Sequence, residues 1–494
     1  MQPGARPGVF MPAKSRRRMG MSSSEKRRRR PPARAGLLSW AGAALWVCAA
    51  LAACGAVPEV DGEIPTTADA GAPRIVGHDG PLSPEEARAV LAEITDDPGE
   101  AGLLARHAAL EQEVAETPLV AGNRVRLLRD GPETFRVVFD LIRGARDHVN
   151  LEFYILEDVE SDGTKLGDLL VAKRGEGVAV NIIYDSHGSQ ETPPAFFERL
   201  RQAGVRVIEY NPLNPLDSGL PYEPNDRNHR KIVVVDGRYG ITGGINLSHT
   251  YQSTHPDPGD LPADGMSWRD TSVLVEGPVV AQFQRLFIEH WRQQNGPPLD
   301  TDGFFPKVEP SGDEVVRVIG SSPEDALPRY YVSVLTAIRN AELRVWLTAA
   351  YFVPTEQELA DLTAAARRGV DLRILVPGVT DIPTTIDIAR SYYGELMEAG
   401  VRIWEAQNVL LHSKSIVVDG VWSIVGSSNF DYRSVIFNDE VDAIVLGSET
   451  GREMERMFEG DLAQAKEIDP EAWADRPFTQ RVKEHMSRLW QVWF

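Results

Sequence analysis

Two stretches of the sequence carry the same set of chemically useful residues. One is HRKIVVVDGRYGITGGIN (229–246); the other, 183 positions further on, is HSKSIVVDGVWSIVGSSN (412–429). Each runs H-x-K, four residues, D, six residues, a Gly-Gly or Gly-Ser pair, one residue, N. Lysine offers a positive charge, asparagine a neutral donor, and histidine either a nucleophile or a proton source, a combination suited to a phosphate. Two such sets around one phosphorus would supply a nucleophile on one side and an acid at the leaving group on the other, as in-line displacement requires. Metal binding by the His–Asp pairs is disfavoured, because each set includes a lysine with no acceptor and no HExxH-type spacing accompanies it. A purely structural role is disfavoured too, since a core strand has no need of His and Lys on one face.

Strand parity sorts the motif residues. Positions i and i+2 share a face, so His229 and Lys231 point the same way, as do His412 and Lys414. Asp236 and Asp419 fall at an odd offset and are each followed by Gly, a hairpin-turn signal. Although they complete the candidate catalytic set, these two aspartates are expected to shape a turn or to stand behind the site. The Gly-rich return then brings back Asn246 in one copy and Ser427 and Asn429 in the other as candidate phosphate-binding groups. Among the remaining histidines only His187, in YDSHGS after a strand end, is a candidate to lie near the site.

The elements that must position these residues also occur twice. In the first half, helical FRVVFDLIRGARD (135–147) precedes the strand VNLEFYIL (149–156). A helix near 165–173, the strand VAVNIIYD (178–185), a helix at 196–203 and the strand VRVIEY (205–210) then lead to His229. The second half repeats the order with YYVSVLTAIRNA, LRVWLTAAYF, QELADLTAAARR, VDLRILVP, YYGELMEA and VRIWEA before His412. Two copies of one alternating unit, each near 170 residues, predict an α/β fold with sheets covered by helices on both faces.

The 494 residues carry a net charge of −20, but residues 1–54 hold eleven Lys and Arg against one acidic residue, which leaves −30 for the rest. Such a body repels nucleic acid and anionic membrane at long range, although screening limits this to about 8–10 Å, so any basic site must be local and enclosed. Cys48 and Cys54 both lie in residues 1–54, so the body has no disulfide. A basic run followed by LLSWAGAALWVCAALAAC (37–54) has the grammar of an export signal. Its LAAC ending resembles a lipoprotein box with Cys54 as the lipidation site, a retained anchor being the alternative. The expected division is a signal peptide at 1–54, a flexible tether at 55–82 and a helical segment at 83–120. Repeats at 121–300 and 301–475 and a C-terminal helix at 476–494 complete it.

The motifs resemble the paired signatures of the phospholipase D superfamily over essentially all of 122–490. Within it, NRVRLLRDGPETF, NLEFYI, NHRKIVVVDG, GGIN, WRDT and GSSNFDYRSVIFNDE are similar to bacterial cardiolipin synthases. The resemblance implies duplicated α/β/α repeats packed with pseudo-twofold symmetry, one active site at their interface, and no metal or other cofactor. It implies His229 as nucleophile and His412 as general acid/base, with Lys231, Lys414, Asn246 and Asn429 on the phosphoryl oxygens. Glu440, and by analogy Asp270, would orient the histidine rings. Asp270 follows Asn246 by 24 residues whereas Glu440 follows Asn429 by 11, which sets the analogy apart from a plain repeat. The implied reaction joins two phosphatidylglycerols into cardiolipin at a phospholipid membrane, without nucleic acid or an obligate protein partner; hydrolysis to phosphatidic acid is the closest alternative.

Overall fold

The computed structural model describes residues 57–66, 71–95, 97–114, 117–214, 225–252 and 266–493, all within one compact unit, Ala56–Phe494. The expected signal peptide and Cys54 lie outside the described residues.

The duplication expected from the sequence is built strand for strand. In the first half the parallel strands Arg206–Tyr210, Ala179–Asp185 and His148–Phe153 lie side by side. They are followed by Lys231–Val235, Tyr239–Gly243, Thr271–Glu276 and Leu119–Arg129, each antiparallel to its neighbour. The second half gives the same order: Arg402–Ala406, Asp371–Pro377, Arg344–Ala349, Lys414–Val418, Trp422–Gly426, Asn438–Leu446 and Glu314–Ser321. The last strands of the two halves, Leu119–Arg129 and Glu314–Ser321, pair antiparallel and join the sheets.

Side-chain alternation along the motif strands distributes the cores. Val233 and Val235 face the helices of their own half, and Ile416 and Val418 do likewise. Ile232, Val234 and Val417 point the other way, into a core shared by both halves that includes Val273, Val316, Val425 and Val441. Each such side chain, removed from water, contributes about 1.5–3 kcal/mol. The shared core therefore fixes the two motif strands relative to each other.

The helical segment forms as Pro84–Glu93, started by a Ser83–Glu86 capping box, and Pro98–Val114. Its Glu111 accepts from Arg317, Ser333 and Trp422, which ties it to the second half. The expected tether is corrected in its described part. Val60 and Ile64 are buried against Tyr331 and Leu335, and Ile75–Gly77 pairs with the strand beginning at Leu119. A composition rich in Pro, Gly and Ala concealed a few apolar side chains that fill a gap in the fold.

Asp236 and Asp419 are not part of the site. Asp236 (φ 52°) and Gly237 (φ 61°), like Asp419 (φ 55°) and Gly420 (φ 72°), take the consecutive positive φ angles of a type I′ turn. That turn is at the far end of each motif strand, about 20 Å of extended chain from the histidine. The Asp236 carboxylate accepts backbone N–H groups of Arg146, Asp147 and His148 at 2.8–3.2 Å. Asp419 accepts those of Glu342, Leu343 and Arg344 at 2.7–3.2 Å, with His107 Nε2 3.2 Å away. Each aspartate ties its hairpin to the start of the neighbouring parallel strand. Asp419→Ala should therefore lower unfolding free energy by about 3 kcal/mol, because three backbone donors lose a charged partner. Chemical denaturation checks this, and the fraction that stays folded should keep its site.

Candidate active site

Each histidine is hung on the opposite half of the molecule. Arg227–Asn228, just before His229, pairs parallel with Asn438–Asp439, and the His229 N–H donates to the Asp439 carbonyl at 2.9 Å. Symmetrically, Leu410–Leu411 pairs with Trp268–Arg269, and the His412 N–H donates to the Arg269 carbonyl at 2.8 Å. The next residue of each crossed segment supplies a carboxylate. His229 Nδ1 lies 2.9 and 3.0 Å from the Glu440 oxygens, and His412 Nδ1 lies 2.8 Å from Asp270 Oδ2. With Nδ1 engaged, Nε2 is the nitrogen each ring has left for chemistry.

Both rings line one cavity of about 460 Å³, together with Asn246 and Asn429. The structure thus unites the histidines and asparagines expected from the sequence, and His187 is on the same wall. The lysines stand one layer behind. Lys231 Nζ donates to the His229 carbonyl at 2.6 Å, and Lys414 Nζ to the His412 carbonyl at 2.5 Å. Both are buried, and burial is the main reason that their pKa values fall, to about 7 for Lys231 and about 8 for Lys414. Burial likewise lowers His229 to about 4, against the opposing pull of Glu440. His412 is lowered by burial and by Lys414, Lys231 and His229.

The two carboxylates are equivalent by register. Gly243 lies opposite Ser272 and Gly426 opposite Asp442, which places Asp270 and Glu440 at matching positions. They are not electrostatically alike. Burial raises both, but the His229 ring, then Lys231 and the Ser427 hydroxyl (2.6 Å), hold Glu440 below the ordinary carboxylate range; it also accepts from Ser434 (2.8 Å) and Asn438 (3.1 Å). Among the described residues Asp270 receives the Thr271 N–H (2.7 Å) besides His412, and burial pushes it up to about 7. Gly244 stands where the other half has Ser427, and a Cβ there would fall 2.2 Å from Asp270 Oδ1. Ser427, expected at the phosphate, is accordingly corrected: it is fully buried, and its hydroxyl is spent on Glu440.

Several wall residues escaped sequence reading. Tyr154 packs edge-on to His229, while Tyr351, Trp268 and Tyr251 surround His412, with Tyr251 Oη 3.1 Å from its Nδ1. Arg227, Asp381, Asp431 and Arg433 add charged groups to the lining. Tyr154 and Tyr351 close apolar strands, and their places just after the first strand of each repeat, one register step apart, were the available signal.

Paired H-x-K motifs meeting at one cavity between duplicated α/β halves define a two-motif protein of the phospholipase D superfamily. The chain belongs to the cardiolipin synthase family with a PLD-like domain, whose model matches residues 138–258 and 334–462. It is 34% identical over 388 residues to a cardiolipin synthase of Geobacillus thermodenitrificans, covering 77% of this chain and 74% of that one. It is 36% identical over 376 residues to cardiolipin synthase A of Pseudomonas fluorescens, covering 75% of each. In fold it is similar to a phosphatidylserine synthase of Haemophilus influenzae, with a TM-score of 0.53 at 12% identity over 77% of this chain and 98% of that one.

The lysines give this cavity a pH-dependent affinity for anions. They are charged below their lowered pKa values and neutral above them, so attraction is present at low pH and is lost as pH rises through about 7–8. Sulfate, whose own charge is constant in this range, should bind at least about tenfold more weakly at pH 9 than at pH 6 by calorimetric titration.

Proposed function

We propose that the protein is a phosphatidyltransferase that forms cardiolipin and glycerol from two phosphatidylglycerols through a phosphohistidine. The crossed His–carboxylate pairs around one cavity carry this reading, and similarity to cardiolipin synthases supports the choice of substrate. His229 is the nucleophile: the ionised Glu440 accepts a hydrogen bond from its Nδ1–H and so presents a basic Nε2 to attack phosphorus. His412, paired with the more proton-retentive Asp270, gives a proton to the departing glycerol oxygen as the P–O bond breaks. It then takes the proton of the incoming hydroxyl of the second phosphatidylglycerol, whose oxygen displaces His229 from phosphorus.

Asn246 and Asn429 donate to the phosphoryl oxygens. Lys231 and Lys414 neutralise them by turning from the histidine carbonyls as the anion arrives, which also restores their protons. Because the lysines supply the positive charge, turnover should be unchanged by EDTA. The enzyme works on a phospholipid membrane. The leader suggests an anchor at Cys54 and a periplasmic site, and among the described residues no helix is long and apolar enough to cross a membrane.

Purified protein incubated with phosphatidylglycerol vesicles should yield cardiolipin and glycerol by mass analysis. Phosphatidic acid as the sole lipid product would make the protein a hydrolase instead. His229→Ala and His412→Ala should each abolish turnover. Glu440→Gln should lower kcat by roughly 10²–10⁴-fold with a smaller change in KM, since it leaves the ring without an anionic acceptor.

A further inference from the structure

The C-terminal segment wears its amphipathicity inside out. The helix Phe478–Ser487 and the 3-10 turn Arg488–Trp493 that follows place Phe478, Val482, Met486, Leu489, Trp490 and Trp493 at helical spacing on one side. That side faces outward: Phe478 is 74% exposed, Leu489 67% and Trp490 59%. Several of the segment's polar side chains bond the body of the protein, while Arg481, Lys483 and His485 stay exposed. Buried Glu484 pairs with Arg476 at 3.0 Å, Lys483 reaches Asp387 at 2.8 Å, Arg488 lies over Tyr392, and Gln491 bonds Tyr392 and Tyr432. A surface helix of a globular protein does the opposite, so the exposed stripe is built for an apolar partner.

We propose that this stripe is a membrane-docking surface that inserts into the interface of an anionic bilayer and sets the cavity mouth against the lipid. Three observations select a bilayer as the occupant. The first is charge: residues 476–494 carry four Lys and Arg against one acidic residue, on a body whose balance from residue 55 onward is −30. Screening limits the acidic body's repulsion of an anionic surface to about 8–10 Å, so at the stripe the local positive charge decides, and it matches anionic lipid. Two copies would instead bring two acidic bodies together around one stripe. Composition is the second, because paired tryptophans beside aliphatic side chains suit the water–lipid boundary.

Continuity is the third. Trp493 belongs to both the stripe and the wall of the active-site cavity, whose wall also includes Ile382, 36% exposed. A second cavity, of about 450 Å³, is lined by Met486, Trp490 and Trp493 beside Thr384 and extends this apolar surface away from the histidines. A diacyl lipid whose phosphate reaches His229 would thus leave its acyl chains along the stripe. The choice of lipid as substrate rests on the proposed function; the docking does not need turnover to be observed.

The test uses the full chain. Trp490→Phe keeps the apolar face, so the fluorescence difference between the parent and this variant isolates Trp490. In vesicles of phosphatidylcholine with 30% phosphatidylglycerol, that difference signal should shift to the blue and be quenched when the acyl chains carry bromine. An unquenched Trp490 in vesicle-bound protein overturns the proposal. So does a signal already blue-shifted in buffer in proportion to protein concentration, which would mean that a second copy covers the stripe.

Phe478→Ser/Leu489→Ser separates docking from chemistry. Its turnover of bilayer phosphatidylglycerol should fall at least tenfold, while turnover of a monomeric short-chain phosphatidylglycerol stays within twofold of the parent. Unchanged bilayer turnover overturns the proposal. If the parent turns over neither lipid, the proposed function fails and the quenching result still decides the docking.

Discussion

The structure depends on one exchanged contact: the carboxylate that orients each cavity histidine comes from the other half of the chain. His229 leans on Glu440 and His412 on Asp270, and the short parallel pairings beside them fix the histidine backbones in the same crossed sense. Neither half can complete its own histidine. The shared core of Ile232, Val234, Val417 and Val425 is what holds the exchange in register. Sliding one sheet on the other would separate both pairs together.

Within that symmetry the two pairs differ in a way that supports the proposed division of roles. His229, Lys231 and the Ser427 hydroxyl hold Glu440 below the ordinary carboxylate range, and Ser434 donates to it as well, whereas the matching positions beside Asp270 are Gly244, which brings no side-chain donor, and Tyr251, whose hydroxyl lies by His412 Nδ1 instead. A permanently anionic partner favours a histidine that attacks. A partner whose affinity for protons is raised by burial favours one that holds and returns a proton. The asymmetry comes from a few substitutions in a duplicated unit and not from a different fold.

Much of this was legible in the sequence because duplication writes each signal twice. The element order, the motif strands and the turn role of Asp236 and Asp419 followed from periodicity, parity and Asp-Gly. The equivalence of Asp270 and Glu440 was obscured by spacings of 24 and 11 residues and emerged from strand register. Ser427 was misplaced because a hydroxyl beside glycines suits a phosphate as well as it suits a buried carboxylate. The packing of Val60, Ile64 and Ile75 depended on a gap that only the assembled halves create. Tyr154 and Tyr351 sat at the ends of strands whose apolar runs hid their position on the wall.

The central claim is that two unequal histidines divide one displacement between them. It is tested most directly by intact-mass analysis of single-site variants mixed with a phosphatidyl ester of p-nitrophenol, a leaving group that needs no acid. His412→Ala should release one equivalent of nitrophenol in a burst and gain the mass of one phosphatidyl group on His229, since no base remains to activate an acceptor. His229→Ala should show neither. An adduct on His412, or a burst from the His229 variant, would contradict the account.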